Sequence, residues 1–178
     1  GNGMFDFAER VRCAELGKTH LFSVGQAGFI IKSASGKLFG IDMYLSDCVE
    51  RVEGHVGYKR MLPKILEADE LVFDCIVATH FHRDHFDVDS MKALMDNADE
   101  QIRCNYLTLG WTPTEGEVNL RKSLGENEAE LRKRAAAILP MGRMCERTDY
   151  LDALVYLMSD GSSMMTGSTF RITAGEYI

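Results

Sequence analysis

The stretch ELVFDCIVATHFHRDHFD, residues 70–87, decides how this sequence folds. Its first eleven residues form a nearly continuous apolar run, the pattern of a strand buried on both faces. The run stops at His80. Within residues 79–87 lie three histidines and two aspartates, in a chain that holds five histidines altogether. The C-terminal end of a parallel strand is where open α/β sheets place their sites, so this corner is the first candidate site.

His80 and His82 are two apart, so on an extended or loop backbone their rings project the same way and can bind one ion. Asp84 and His85 follow on the turn, where they can face a second ion or hydrogen-bond to the ligands of the first. Imidazole and carboxylate together suit zinc, manganese or iron. A metal held this way lowers the pKa of a bound water towards about 7 and supplies hydroxide at neutral pH.

Upstream, HLFSVGQAGFIIKSASGKLFGIDMYLSD (residues 20–47) alternates apolar runs with turn formers. It predicts strands near 20–24, 28–33 and 37–42, with a tight turn at Gly25 to Gly28 and a hairpin turn at Ser35-Gly36. Residues 43–70 read as an irregular loop carrying a helix around YKRMLPKILEAD, which Pro63 interrupts or starts. Downstream, DVDSMKALMDNADE places Met91, Leu94, Met95 and Ala98 on one helical face, with Asp87, Asp89 and Ser90 as available N-caps. IRCNYLTLG reads as the next strand, so residues 71–109 form a strand–helix–strand unit with a right-handed parallel crossover. The remainder is mainly helical: residues 114–140 as one long or broken helix ended by Pro140, and RTDYLDALVYLMSD with Leu151, Leu154, Val155 and Met158 on one face. STFRITAGEYI closes as a strand.

The 178 residues are 46% hydrophobic and 26% charged, which suits an ordinary domain with a sizeable core. Five scattered cysteines without a Cys-x-x-Cys spacing indicate neither a disulfide framework nor a cysteine zinc site, and point to a reducing cytoplasm. The net charge of −7 argues against a nucleic-acid partner, and ELRKRAAA reads as the solvated face of a helix. No apolar stretch reaches the length of a membrane span, and the opening residues show no signal pattern. His20 reads as structural, His55 as an exposed loop residue, Trp111 as a packing anchor, and Met164-Met165 as core or interface.

The motif THFHRDHFD, preceded by VGQAGFIIKSASGKLFGIDMYLSD, resembles the N-terminal half of the metallo-β-lactamase superfamily over about residues 19–101, in the branch that includes ascorbate-6-phosphate lactonase. The resemblance implies His80 and His82 as ligands of a first metal, Asp84 and His85 as ligands of a second, and Asp84 as partner of the attacking water. It further implies that Asp42 supports the metal loop from behind. That family completes its site with later residues, and no histidine follows His85.

CNYLTLGWTPTEGE and ILPMGRMCERTDYLDALVYLMSDGSSMMTGSTFRITAGEYI resemble the C-terminal third of short-chain dehydrogenases/reductases, from about residue 102 to the end. By this resemblance Thr112 and Thr114 lie near the nicotinamide amide and phosphate, and the last helix and strand build a homo-oligomer interface. The sequence carries no Thr-Gly-x-x-x-Gly-x-Gly turn and no Tyr-x-x-x-Lys pair.

The expectation is therefore an α/β chain, metallo-β-lactamase-like over residues 1–101 and continued by a Rossmann-like segment over 102–178. Its expected function is a metal-dependent hydrolase of lactonase or ester-hydrolase type, with an incomplete ligand set, a divalent metal (zinc, or manganese or iron) and a small-molecule substrate. The alternatives are a short-chain-dehydrogenase-related oxidoreductase segment without its cofactor and Tyr/Lys site, or a non-catalytic fusion or assembly protein.

Overall fold

The computed structural model describes residues 6–53, 60–98 and 102–176, which pack as two compact units. The first takes the described residues up to Tyr106 together with Ser163–Ser168; the second takes Leu107–Ser162 and the described residues from Thr169 onward.

The first unit opens with α1 (Phe7–Cys13), which has no counterpart in the sequence reading; Asp6 caps it through the Glu9 N–H, and Ala8 and Val11 are its buried contacts. Strands β1 (His20–Gly25) and β2 (Gly28–Lys32) then pair antiparallel. Their turn uses positive φ at Gly25 and Gln26. Gly28 cannot be larger, because a Cβ there would lie 2.5 Å from Val24 Cγ2. β3 (Leu38–Ile41) pairs antiparallel with β2 across the Ser35-Gly36 turn, where Gly36 has φ +92°. β4 (Cys75–Ala78) lies parallel to β3, with all four residues buried. It follows α2 (Cys48–Glu53) in the chain and is followed by α3 (Val88–Asp96) and by β5 (Arg103–Leu109), which is parallel to β4. The α/β class thus stands, with strands β1 to β5 side by side in chain order and parallel from β3 onward.

Two local expectations change. Residues 43–70 contain a short helix, α2 (Cys48–Glu53), and residues 60–69 contain none. Pro63 denies that stretch a helical donor, and its apolar residues do not share a face: Met61, Leu62 and Ile65 are exposed while Leu66 is buried. His55 and residues 58–59 of the expected helix lie outside the described residues. In α3, Met91 and Leu94 are buried as expected, but Met95 is exposed.

Ile30, Met43, Phe73, Ile76 and Leu94 centre the core of this unit. Each such side chain contributes roughly 1.5–3 kcal/mol by leaving water. One cation is buried beside it. Lys32 is 6% exposed, and its Nζ donates to the carbonyls of Val11 (3.0 Å), Arg12 (2.6 Å) and Ala14 (2.9 Å) at the C-terminal end of α1, where carbonyls lack i+4 partners.

The second unit resolves the "long or broken" helix as two. α4 (Glu115–Ser123) stops before Gly125, whose φ is +86°, and α5 (Glu128–Ile138) starts with a capping box between Asn127 and Glu130. Val118, Leu131, Ala135, Leu139 and Met144 form its core. Trp111 packs against that cluster, with Arg134 4.8 Å and Arg121 5.7 Å above its ring and its Nε1 donating to Glu117. In α6 (Leu151–Met158) the buried residues are Ala153 and Leu157, whereas Leu151 and Val155, read as one apolar face with Leu154 and Met158, point to solvent. β6 (Thr169–Ile172) pairs with the end of β5, where the Gly110 N–H donates to the Ile172 carbonyl at 2.9 Å. Among the described residues no helix is long and apolar enough to cross a membrane.

Candidate functional site

The histidine corner follows β4. Asp42, just past β3, has φ +50° and is 4% exposed. Its Oδ1 accepts from the Thr79 N–H at 2.7 Å, and its Oδ2 accepts from Thr79 Oγ1 at 2.5 Å and pairs with His85 Nδ1 at 2.9 Å. A buried carboxylate is thereby satisfied by three donors and ties β3 to the loop after β4. His80 Nε2 and His82 Nδ1 stand 3.0 Å apart in hydrogen-bond contact, with ring centroids separated by 4.2 Å. His85 Nε2 is 3.7 Å from Asp84 Oδ2, and Asp84 Oδ1 is buried with no partner. Burial, then the charges of His82 and His85, lowers the pKa of His80; the Asp42 hydrogen bond raises that of His85.

So His80, His82, Asp84, His85 and Asp42 do come together in one corner. Asp87 does not join them in chemistry: it caps α3 through the N–H groups of Asp89 and Ser90, and it accepts from the Ser46 N–H. The donor set is committed internally. His80 and His82 face one another and His85 spends Nδ1 on Asp42, and among the described residues no group of three or more His, Cys, Asp or Glu is arranged to hold a metal ion.

A second constellation lies in the other unit, at the turn that follows β5. Gly110, Trp111, Thr112, Pro113 and Thr114 lead into α4, and Thr114 Oγ1 caps that helix through the Glu117 N–H at 3.2 Å. Thr112 Oγ1 donates to the Gly110 carbonyl at 2.9 Å and lies 2.5 Å from the Tyr150 hydroxyl, which is itself 3.2 Å from the same carbonyl. With the Thr112 proton given to the Gly110 carbonyl, the Tyr150 hydroxyl can donate to only one of the two Thr112 lone pairs, so the other is left for an incoming donor. Burial raises the Tyr150 pKa far above the ordinary phenol value, keeping it protonated at neutral pH. Gly110 must be glycine: a Cβ would sit 2.6 Å from Thr173 Cα and 3.0 Å from Cys145 Sγ.

Whether this turn fits a nicotinamide dinucleotide depends on which end is considered. The free acceptor on Thr112 suits the NH2 of a carboxamide. The phosphates find no such match, because the opening turn of α4 carries Glu115 and Glu117, and Thr114 has spent its hydroxyl on the cap.

Comparison with known proteins matches residues 91–176 to the family described as Enoyl-(Acyl carrier protein) reductase. No curated protein matches the chain. Similar solved structures include a mutant actinorhodin polyketide ketoreductase with NADPH, at 21% identity, 58% of this chain, 47% of that one and a TM-score of 0.44. NAD+-bound xylitol dehydrogenase gives 20% identity, 58% and 49% coverage and a TM-score of 0.45. A short chain dehydrogenase family protein from Francisella tularensis gives 25% identity, 57% and 50% coverage and a TM-score of 0.44. The chain spans about half the length of these structures.

These findings correct the functional expectation. The family match lies with the reductases and not with metal-dependent hydrolases, so the lactonase or ester-hydrolase reading, the zinc, manganese or iron cofactor and the metallo-β-lactamase assignment behind them are withdrawn. The physical reason is that a strand end rich in histidine and aspartate also arises when a buried aspartate needs donors: Asp42 takes Thr79 and His85 for itself. Of the two alternatives raised from the sequence, the oxidoreductase segment agrees better with the family match.

Proposed function

We propose that the C-terminal half of this chain is the nicotinamide-end segment of an NAD(P)-dependent oxidoreductase of the short-chain dehydrogenase/reductase kind. The observation that carries the reading is the family match over residues 91–176, which contains the whole Gly110–Thr114 turn and Tyr150. In this reading Thr112 accepts a hydrogen bond from the carboxamide, Tyr150 holds the Thr112 hydroxyl in place, and Gly110 keeps the turn close against Thr173. The bound cofactor supplies or accepts a hydride. The chain's own residues bind and orient its nicotinamide end.

Self-association belongs to the same reading. Leu151 and Val155 are exposed on α6, and Tyr156 packs at 6.1 Å on Phe170 of β6, which makes an apolar surface of the kind that dimer cores bury.

The test is an amide titration by NMR with nicotinamide mononucleotide and, separately, adenosine monophosphate. The mononucleotide is expected to move the resonances of Gly110, Trp111, Thr112 and Thr114 at millimolar concentration, Thr112→Val to weaken that response about tenfold, and the adenylate to leave them unmoved. Unmoved resonances with both the mononucleotide and NADPH would overturn the proposal.

A further inference from the structure

The second unit contains a cavity of about 480 Å³ lined by residues 141–149 on one side and 171–175 on the other. Its walls are fixed by the backbone. The Met141 N–H donates to the Ala174 carbonyl at 3.1 Å, the Cys145 N–H to the Trp111 carbonyl at 2.9 Å, and the Glu176 N–H to the Thr173 carbonyl at 2.9 Å. Gly175, at φ +84°, packs so closely on Pro140 that a Cβ would lie 2.7 Å from its Cγ, which sets the rim.

The charges lining this cavity do not balance. Arg143 is neutralised by Asp149 through two parallel hydrogen bonds of 2.6 and 2.8 Å. Arg171 has no ionic or hydrogen-bonding partner among the described residues. The same holds for the side chain of Thr173, although that residue is 9% exposed. Two guanidiniums against one carboxylate leave a single net positive charge on the lining side chains. Arg171 and Thr173 both line the cavity and offer a guanidinium fork and a hydroxyl two residues apart. Met141, Ile172 and Ala174 supply apolar wall around them.

We propose that this cavity binds a small monocarboxylate, its head on Arg171 and Thr173 and its apolar body against Met141, Ile172 and Ala174. One unmatched charge favours a monoanion over a phosphate dianion, which would leave an excess negative charge among these groups. None of these side chains is used in the carboxamide reading of the Gly110–Thr114 turn, so this site stands or fails separately from it.

Titration with hexanoate, hexanol and inorganic phosphate, followed through the amides of residues 171–175, tests the site. Hexanoate is expected to bind at least tenfold more tightly than hexanol, phosphate to leave these amides unmoved, and Arg171→Gln to weaken hexanoate at least tenfold. Thr173→Val is expected to weaken it severalfold. Hexanol binding as well as hexanoate, phosphate displacing hexanoate, or an Arg171→Gln protein that binds hexanoate like the parent would each overturn the proposal. Arg171 is exposed on β6, so its replacement leaves the fold in place for the measurement.

Discussion

Replacing Lys32 with Met is expected to unlatch α1. The Met side chain keeps most of the apolar stem, so the change removes chiefly the ammonium and its three hydrogen bonds, of 2.6 to 3.0 Å, to Val11, Arg12 and Ala14. A hydrogen bond to a charged group is worth about 1.5–3 kcal/mol. Three such bonds from one donor do not add fully, and removing a buried charge returns part of its desolvation penalty. The net loss is therefore about 2–4 kcal/mol, concentrated on the attachment of α1 to β2. Hydrogen exchange measures it directly, through the Arg10 N–H bonded to the Asp6 carbonyl and the Ala14 N–H bonded to the Val11 carbonyl. With tenfold per 1.4 kcal/mol, protection at these amides should fall roughly 30- to 700-fold, and by less at the amides of β4. A change of less than about twofold would refute the reasoning and would mean that the three carbonyls find water at no net loss.

Asp42→Ala should lower stability by about 2–4 kcal/mol in urea unfolding, because it strands the Thr79 and His85 donors, while Asp42→Asn should recover only part of the loss. Gly110→Ala drives a methyl into the Thr173 backbone, and about 1–3 kcal/mol of destabilisation is expected in the same assay. The Arg143 hydrogen bonds, followed by the Glu146 N–H, hold the Asp149 pKa at about 2. A depressed carboxylate stabilises above the pKa of the unfolded chain, near 3.9, and loses that contribution as pH falls through about 2. A carbon-detected NMR titration should find the Asp149 midpoint at about 2 in the parent and raised in Arg143→Gln, though still below the ordinary Asp value because the Glu146 N–H remains. Light scattering on the intact chain should report a species larger than the monomer that Val155→Lys reduces to monomer.

Periodicity and turn chemistry carried much of the fold. Gly36 and Gly25 mark the two hairpin turns because only their backbones take positive φ without strain, and the run ending at Ala78 is buried on both faces as its composition demands. The break between α4 and α5 was written in Gly125 and in the Asn127…Glu130 capping box, although the charged periodicity ran across it. α1 and α2 were not legible, since seven and six residues are too few to show a helical period. The inversion of α6 has a different cause: Leu151 and Val155 are as apolar as Ala153 and Leu157, and only the neighbours decide which pair is covered. Residue types drew attention to the histidine corner, but the commitment of Asp42 to Thr79 and His85 depends on contacts 37 and 43 residues apart. Arg171 and Thr173 gave no signal at all, because a cation without a partner is visible only when its surroundings are.

The short return of residues 163–168 to the first unit bears on the order in which the chain can be finished. Asn105 is 2% exposed; its Nδ2 donates to the Met165 carbonyl at 2.8 Å and its Oδ1 accepts from the Ser168 N–H at 3.2 Å. The Cys104 carbonyl takes the Gly167 N–H and the Cys104 N–H goes to Thr166 Oγ1. A ribosome that has reached Tyr106 has therefore not yet delivered the partners of Asn105 and Cys104. The first unit to be synthesised is among the last to be completed, and a fragment cut after Tyr106 would carry a buried amide with neither of its bonds made.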